Sequence, residues 1–259
     1  MLPELFNIGS LHIYSYGVFI ALGTYLAFLY MSKNLSIKLN IQEDEVVKFF
    51  LIVIISAALG GKIFYYLEDL KSYIESPSKL LNNLGKGFVF YGSLIFIIPT
   101  AFFYFRKNNW PMWKTLDYGA IAICIVHLFG RIGCFLAGCC HGLPTDLPWG
   151  VTFSDPSCSA SPLNTPLHPT QLYEVLMIGC IALILHFLMR SKRKSEGDLF
   201  LLYLVFYSIG GSIIEIFRGD EARGFLIDGW ISHSQGISII VIVSAVIVFF
   251  LKGRSLIKE

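Results

Sequence analysis

The sequence predicts an all-α integral membrane protein with seven transmembrane helices around a central, lipid-accessible cavity. The chain of 259 residues is 55% hydrophobic and only 15% charged, whereas soluble domains carry about 25% charged residues. Its apolar runs are long enough to cross roughly 30 Å of hydrocarbon as helices. The seven runs cover residues 11–32, 46–67, 87–105, 116–138, 171–190, 197–218 and 233–251.

Helices are favoured because backbone polar groups at membrane depth must be satisfied internally. No run shows the alternation of a barrel strand. We expect one seven-span domain over residues 1–259, with outer loops at about 68–86, 141–170 and 219–232. The loop at 68–86 can form a short amphipathic surface helix, and the loop at 141–170 is expected to be ordered.

The distribution of Lys and Arg predicts the orientation, because cytoplasmic loops of membrane proteins are enriched in both. Thirteen Lys and Arg residues lie in or beside the connections after spans one, three and five or at the C-terminus, and five lie on the other side. The larger set is Lys33, Lys38, Lys48, Arg106, Lys107, Lys114, Arg190, Lys192, Arg193, Lys194, Lys252, Arg254 and Lys258. The smaller set is Lys71, Lys79, Lys86, Arg218 and Arg223. The N-terminus is therefore expected outside and the C-terminus in the cytoplasm.

Three polar clusters are expected to meet on the outer face. The first, residues 130–142, carries Arg131, four glycines, three cysteines and a histidine. The second, residues 168–174, reads His-Pro-Thr-Gln-Leu-Tyr-Glu at the start of the fifth span. The third, residues 215–220, places a glutamate and an arginine at a spacing of i, i+3, which allows them to pair.

This arrangement suits an anionic ligand at the lipid–water boundary. Arg131 and Arg218 can grip a phosphodiester bidentately, and glycine-flanked amides add donors. Carboxylate, histidine and tyrosine side chains can move protons. The candidate catalytic residues are Arg131, Arg218, His168 and Tyr91. The candidate substrate-binding residues are Tyr16, Gly133, Gly138, Gly142, Gln171, Tyr173, Glu174 and Glu215.

Structural explanations compete with this interpretation. Arg131 can snorkel toward the interface, and Arg218 with Glu215 can be a purely structural ion pair. The glycines can serve helix packing. His127 and His186 are lone histidines in apolar runs, and we interpret both as core residues without a function.

The cysteines favour disulfides over a metal. Zinc sites built from four cysteines usually show two close pairs, whereas here Cys139 and Cys140 are adjacent and Cys158 stands alone. An outer location favours oxidation. Pairing of Cys158 with Cys139 or Cys140 is the readiest choice, and the sequence leaves the connectivity open.

At these residues the chain resembles the prolipoprotein diacylglyceryl transferases of bacteria over nearly its whole length. That family's His-Pro-x-Gln-Leu-Tyr-Glu run is complete at 168–174, and its Glu-x-x-Arg looks like Glu215 and Arg218. Its Tyr-Gly in the first span looks like Tyr16 and the following glycine. Its Gly-Arg-x-Gly-Asn-Phe-x-Asn-Gly-Glu signature is matched in part by residues 130–139.

The resemblance implies a transferase of lipoprotein biosynthesis in the bacterial inner membrane, with its active site toward the outer side. It would move diacylglyceryl from phosphatidylglycerol to the lipobox cysteine thiol of a preprolipoprotein signal peptide, releasing glycerol 1-phosphate. Arg131 and Arg218 would hold the phosphate and stabilise the departing charge. A base would help form the attacking thiolate. The implied partners are these two substrates and the bilayer, with no metal and no soluble cofactor.

The chain departs from the family pattern at several positions. The signature asparagines are replaced by Cys134 and Ala137, and the acidic residue by Cys139. The family's third-span His-Gly-Gly reads Tyr-Gly-Ser from Tyr91, so that histidine is absent. Tyr91 and His168 are the candidate bases, although a phenol with a pKa of about 10 needs a shift to act at neutral pH.

Two alternatives follow from these departures. One is a related membrane transferase with a different acceptor or lipid. The other is a non-enzymatic lipid-binding or transport protein on the same fold, since intramembrane arginines also line substrate paths. A nucleic-acid partner is not expected, because the net charge is only +2 and no basic stripe with interleaved aromatics is present.

Overall fold

The computed structural model describes residues 2–8, 11–76, 78–83, 87–190, 195–219, 224–227 and 230–255. Within these residues the chain is mainly helical, as predicted, with three small two-stranded sheets. The helices are α1 (Ser15–Leu39), α2 (Glu43–Glu68), α3 (Leu70–Glu75), α4 (Ser78–Asn82), α5 (Phe90–Lys107), α6 (Met112–Ala137), α7 (Thr170–Met189), α8 (Asp198–Glu215) and α9 (His233–Ser255). The strands are β1 (Glu4–Ile8), β2 (Leu11–Tyr14), β3 (Val151–Thr152), β4 (Pro166–Leu167), β5 (Phe225–Ile227) and β6 (Ile231–Ser232).

Six helices in the described part of the chain are long and apolar enough to cross a membrane, namely α1, α2, α6, α7, α8 and α9. This pattern indicates a multi-pass membrane protein. The third predicted run, 87–105, is helical in α5 but is not among the six. Pro99 and the terminal Arg106 and Lys107 interrupt or shorten its apolar stretch. The seventh span therefore stays a prediction.

The N-terminal boundary of the first span was predicted too early. Residues 11–14 form β2, which pairs antiparallel with β1, and α1 begins at Ser15. The backbone N–H of Ser15 donates to the carbonyl of Pro3 at 3.0 Å, which ties the hairpin to the helix start. The sequence Leu-His-Ile-Tyr alternates with a period of two, and this is the pattern of a strand.

The predicted outer loops carry local structure of their own. The amphipathic segment at 68–86 forms two short helices, α3 and α4, in place of one. The loop at 141–170 is ordered, as predicted, and pairs β3 with β4 antiparallel. Phe153, Cys158, Ala160 and Leu167 form a small buried cluster beneath this pair. Part of the loop at 219–232 lies outside the described residues, including Asp220 and Arg223.

The chain divides into two compact units, one formed by residues 1–30 and 116–259 and the other by residues 31–115. The boundaries fall inside α1 and α6, so neither unit ends at a loop. In the second unit α2 packs on α5 through glycines. A Cβ placed on Gly92 would lie 2.5 Å from the carbonyl oxygen of Gly60, so only glycine permits this backbone approach.

The core of the first unit lies between α6, α7 and α8. Its buried members are Ala120, Ile121, Cys124, Ile178, Ile181, Leu185, Leu199 and Tyr203.

The buried carboxylate of Asp117 binds the start of α8. Asp117 on α6 accepts hydrogen bonds from the backbone N–H groups of Gly197, Leu199 and Phe200, at 2.8 to 3.1 Å. These donors have no partner inside α8, so Asp117 caps that helix from a distant part of the chain.

Candidate active site

A carboxylate held by two arginines lies at the centre of the first unit. The Nε of Arg131 donates to Glu174 Oε2 at 2.6 Å, and Nη1 of Arg218 donates to Glu174 Oε1 at 3.1 Å. The side chains of Glu174 and Arg218 are 5% and 3% exposed, and that of Arg131 is 16% exposed. Glu174 lies on α7, Arg218 just after the end of α8 and Arg131 on α6. Helix packing therefore brings the three predicted clusters together.

The charge of this group decides what it can bind. The formal charges of these two guanidinium groups and this carboxylate sum to +1, which favours an anionic ligand beside them. Each guanidinium carries five N–H donors, and a single carboxylate oxygen cannot accept hydrogen bonds from all of them. The group can therefore keep its internal ion pairs and still bind a monoanion such as a phosphodiester.

The first turn of α7 fixes the loop that follows Arg131. The hydroxyl of Thr170 donates to the carbonyl of Cys140 at 2.7 Å, and Gln171 Nε2 donates to the carbonyl of Cys139 at 2.7 Å. Both donors are fully buried. Because Glu174 follows one turn later on the same helix, α7 positions the loop and the carboxylate together.

Gly142 joins the second and third predicted clusters. Its backbone N–H donates to the carbonyl of His168 at 2.8 Å, and Gly142 forms an antiparallel bridge with Arg218. The next residue, Leu143, donates to the carbonyl of Phe217 at 2.9 Å. The backbone of Arg218 is thus held by the loop at 141–170 as well as by the turn that follows α8.

His168 belongs to a polar chain at the edge of this group. Its Nδ1 lies 3.0 Å from the hydroxyl of Tyr173, which accepts a hydrogen bond from Trp149 Nε1 at 2.9 Å. The ring of His168 also packs on Phe217, with ring centroids 5.2 Å apart. These contacts fix the orientation of the imidazole, which a proton-transfer residue requires.

Two residues of the site were missed by sequence reasoning. His127, interpreted as a core residue without a function, places Nε2 3.8 Å from Glu174 Oε2. Its ring lies 5.0 Å from that of Tyr207, which interacts electrostatically with Glu174 and Arg131. The spacing of His127 and Arg131 on α6 is i, i+4, which places both on one helix face and was the available signal.

The glycines predicted to bind substrate have structural roles in this fold. A Cβ on Gly133 would lie 3.0 Å from the Cα of Tyr16, so Gly133 allows α1 and α6 to approach closely. Gly138 has a φ of +74°, in the left-handed region that favours glycine, and it ends α6. The roles of Tyr16, Gly133 and Gly138 in substrate binding stay predictions.

Two further predicted residues are not placed in this group by the recorded contacts. Tyr91 lies on α5 in the second unit, and its role as a base stays a prediction. Glu215 is the last residue of α8, and its carbonyl accepts the backbone N–H of Arg218 at 3.1 Å. Its predicted side-chain pair with Arg218 also stays a prediction, whereas Glu174 is a recorded partner of that arginine.

The cysteines form two separate groups. All six are free thiols in the structure, and the pairing of Cys158 with Cys139 or Cys140 stays a prediction. Cys158 is buried beside Phe153, where burial raises the pKa of its thiol. Cys134, Cys139 and Cys140 instead bring their sulfur atoms together. Interactions with the neighbouring thiols of Cys134 and Cys139 lower the pKa of Cys140, and the nearby arginines act in the same direction.

Comparison with known proteins identifies the family. The family model described as prolipoprotein diacylglyceryl transferase matches residues 3–251. The chain belongs to the prolipoprotein diacylglyceryl transferase family. Within it, a phosphatidylglycerol–prolipoprotein diacylglyceryl transferase of Clostridium tetani is 40% identical over 249 residues, covering 96% of this chain and 97% of the relative.

Other relatives agree with this assignment. A protein of Clostridium perfringens named phosphatidylglycerol–prolipoprotein diacylglyceryl transferase 2 is 34% identical over 98% of this chain and 96% of its own length. A phosphatidylglycerol–prolipoprotein diacylglyceryl transferase of Solidesulfovibrio magneticus is 31% identical over 93% of this chain and 91% of its own length. The predicted resemblance to the prolipoprotein diacylglyceryl transferase family is therefore confirmed.

Proposed function

We propose that this membrane protein transfers the diacylglyceryl group of phosphatidylglycerol to the thiol of a lipobox cysteine in a preprolipoprotein. Glycerol 1-phosphate is the second product. The names of relatives at 31% to 40% identity over nearly the full length support this reaction. The observation that carries the proposal is the convergence of Arg131 and Arg218 on Glu174 within a buried group of net charge +1.

The two arginines hold the phosphodiester of phosphatidylglycerol. A guanidinium binds two phosphate oxygens in one plane, and two such groups from separate helices fix the phosphate on both sides. When the bond between the glycerol carbon and the phosphate oxygen breaks, negative charge grows on the departing glycerophosphate. Donors already in place stabilise that charge without reorganisation. Glu174 keeps both guanidinium groups oriented toward this position.

The attacking group is the thiolate of the acceptor cysteine, so a base near the phosphate site assists the reaction. His168 and Tyr91 are the candidates from the sequence. His168 is held by Tyr173 at 3.0 Å and is linked through the backbone of Gly142 to Arg218. These contacts make His168 the preferred proton acceptor.

The glycerol headgroup needs hydroxyl-binding groups beside the arginines. Among the described residues, Gln171 Oε1 is a buried acceptor without a recorded hydrogen bond, while its Nε2 holds the carbonyl of Cys139. A glycerol hydroxyl can satisfy such an oxygen, since buried acceptors left unpaired are costly. Tyr16 and Tyr173 supply further hydroxyls for this headgroup, Gly133 permits the close approach of α1 and α6, and Gly138 ends α6 beside the site.

In the cell the protein occupies the bacterial inner membrane, with the site toward the outer side. The distribution of Lys and Arg supports this orientation, with the N-terminus outside and the C-terminus in the cytoplasm. Helix α5 is the seventh span in this arrangement. Its 18 residues measure about 27 Å at 1.5 Å per residue. Lipid then reaches the predicted cavity directly from the bilayer.

A direct assay tests the proposal. Purified protein is mixed with phosphatidylglycerol and a lipobox peptide, and mass spectrometry measures the thioether-linked diacylglyceryl peptide. Product should form with the cysteine peptide and not with a matched serine peptide. If a conventional family member gives product under the same conditions and this protein gives none, the proposed reaction is wrong.

The cysteine substitutions favour one alternative, a transferase of the same family that accepts a different lipid or thiol. Cys134, Ala137 and Cys139 stand where the family signature carries amides and an acid. A changed headgroup site changes substrate choice because hydroxyl recognition depends on such polar groups. Comparing lipoproteins and lipids of a deletion strain with those of its parent by mass spectrometry decides between the two, since an unchanged lipoprotein profile favours the alternative.

A further inference from the structure

Three thiols meet beside the arginine pair. The Sγ atoms of Cys134, Cys139 and Cys140 all lie within 4.8 Å of one another. Cys134 lies in the last turn of α6, and the chain then reverses at Gly138, which has a φ of +74°. The backbone N–H of Cys139 donates to the carbonyl of Cys134 at 3.1 Å, which closes the turn. Helix end and loop together therefore form one three-sulfur face.

We propose that Cys134, Cys139 and Cys140 bind one thiophilic divalent metal ion, with Zn²⁺ as the preferred ion. Zinc bound by thiolates at about 2.3 Å in a tetrahedron separates the sulfur atoms by about 3.8 Å. The observed upper limit of 4.8 Å is close to this value, so small side-chain rotations complete the site. Three protein ligands leave the fourth tetrahedral position open to an exogenous ligand.

The surroundings fit a divalent ion better than a monovalent one. Arg131, Glu174 and Arg218 together carry a charge of +1. Three thiolates around a divalent ion carry −1, whereas three thiolates around Cu⁺ carry −2, so a divalent ion places less negative charge beside the arginines proposed to hold the phosphodiester. Arg131 and Cys134 lie three residues apart on α6, so the two charged groups are neighbours on one helix face.

The ligand loop is already held in place. Thr170 and Gln171 bind the carbonyls of Cys140 and Cys139, each at 2.7 Å, and both side chains are fully buried. Supports of this kind fix the ligands of a metal site before the ion arrives. Zinc sites of four cysteines usually show two close pairs, whereas here a turn brings three cysteines together that are not paired along the sequence.

Metal binding can be measured without any turnover, so this proposal is independent of the proposed reaction. The full-length protein, reduced and freed of metal by chelation, is titrated with Cd²⁺, which reports thiolate ligation by its ultraviolet charge-transfer absorption. One Cd²⁺ per chain should bind, and excess Zn²⁺ should compete with it. Cys134→Ser, Cys139→Ser and Cys140→Ser should each weaken binding by more than the ~10-fold that changes to supporting residues typically cost.

Matched controls are Cys124→Ser, Cys158→Ser and Cys180→Ser, which should bind Cd²⁺ as the unchanged protein does. A second measurement avoids reliance on variants that fold poorly. Zn²⁺ should protect Cys134, Cys139 and Cys140 from alkylation, read by peptide mass spectrometry, and should leave the exposed Cys180 reactive. Absence of Cd²⁺ binding, binding that persists in the triple serine variant, or no protection of these three thiols would overturn the proposal.

Discussion

At the scale of single residues, the two arginines carry the proposed chemistry. Arg131→Lys and Arg218→Lys keep the charge but lose the planar pair of donors that matches a phosphate. We expect each to lower kcat/KM by ~10²–10³-fold, the typical effect of removing one donor to a developing oxyanion. The exposed Arg190→Lys is the matched control and should retain activity. Normal kcat/KM in either site variant would remove that arginine from the mechanism.

Glu174 has a different role, because it neutralises part of the charge of both arginines. Glu174→Gln removes the carboxylate that pairs with both buried guanidinium groups, and breaking a buried ion pair costs about 3–5 kcal/mol. We expect a lower unfolding temperature in detergent together with lost lipidation of the peptide. The control is Glu75→Gln, since Glu75 is exposed on α3. An unfolding temperature equal to that of the unchanged protein would show that the carboxylate is not needed to hold the arginines.

The identity of the base is a third question at this scale. His168→Asn should lower kcat by ~10²-fold or more, the usual contribution of general-base catalysis, with little change in KM. His127→Asn should act mainly on KM, because His127 contacts Glu174 at 3.8 Å and acts through it. His186→Asn, on the exposed end of α7, is the control. A larger loss of kcat in His127→Asn than in His168→Asn would assign the base to His127.

The residues of the site could be predicted better than their pairing. Residue type and neighbouring glycines identified Arg131, Arg218 and Glu174, because charged groups beside apolar runs need a reason to be there. The sequence suggested Glu215 as the partner of Arg218 from local spacing, whereas the structure also records Glu174, 44 positions away in sequence. His127 was missed because a single histidine in an apolar run gives no sign of a distant carboxylate.

At the scale of elements, Gly142 couples the outer loop to the arginine at the end of α8. A Cβ at this position would lie 2.5 Å from His168 Cβ and 2.9 Å from Thr170 Cγ2, and would also contact the carbonyl oxygen of Phe217. Gly142→Ala should therefore displace the bridge to Arg218. Overpacking of this kind costs typically about 1–3 kcal/mol, and we expect lower thermal stability and reduced transferase activity.

The matched control for this change is Gly119→Ala, because a Cβ on Gly119 meets nothing within 4 Å. Alanine also favours the helix in which Gly119 lies. Thermal unfolding in detergent and the peptide lipidation assay compare the two variants. Equal stability and equal activity would show that the loop does not position Arg218.

Helices were predicted well over their interiors, whereas their ends and the short strands were predicted poorly. Long apolar runs predict helices because a membrane span has no alternative except a closed barrel. The hairpin of β1 and β2 was missed because Leu11 to Tyr14 is short and apolar enough to read as the start of α1. The ordered loop at 141–170 could be expected, but its antiparallel pairing depends on contacts that composition does not encode.

At the scale of the whole molecule, the number of spans decides on which side of the membrane the site lies. With α5 as a span, the segment between α4 and α5 and the loop at 141–170 face outward, while the connection between α5 and α6 faces the cytoplasm. Without α5 as a span, the chain fails to cross at this point and every later connection changes sides. The charge rule favours the first arrangement, because Arg106 and Lys107 end α5.

Alkaline phosphatase, which is active only outside the cytoplasm, distinguishes the two arrangements when inserted into the full chain. With seven spans, insertions after Gln42 and Asn108 should be inactive, and insertions after Asn83 and Asn164 should be active. With α5 not crossing, the insertion after Asn108 becomes active and that after Asn164 inactive, while the insertions after Gln42 and Asn83 are unchanged and serve as internal controls. The second pattern would place Arg131, Glu174 and Arg218 toward the cytoplasm. A secreted preprolipoprotein presents its lipobox on the outer side, so that pattern would contradict the proposed orientation and with it this acceptor.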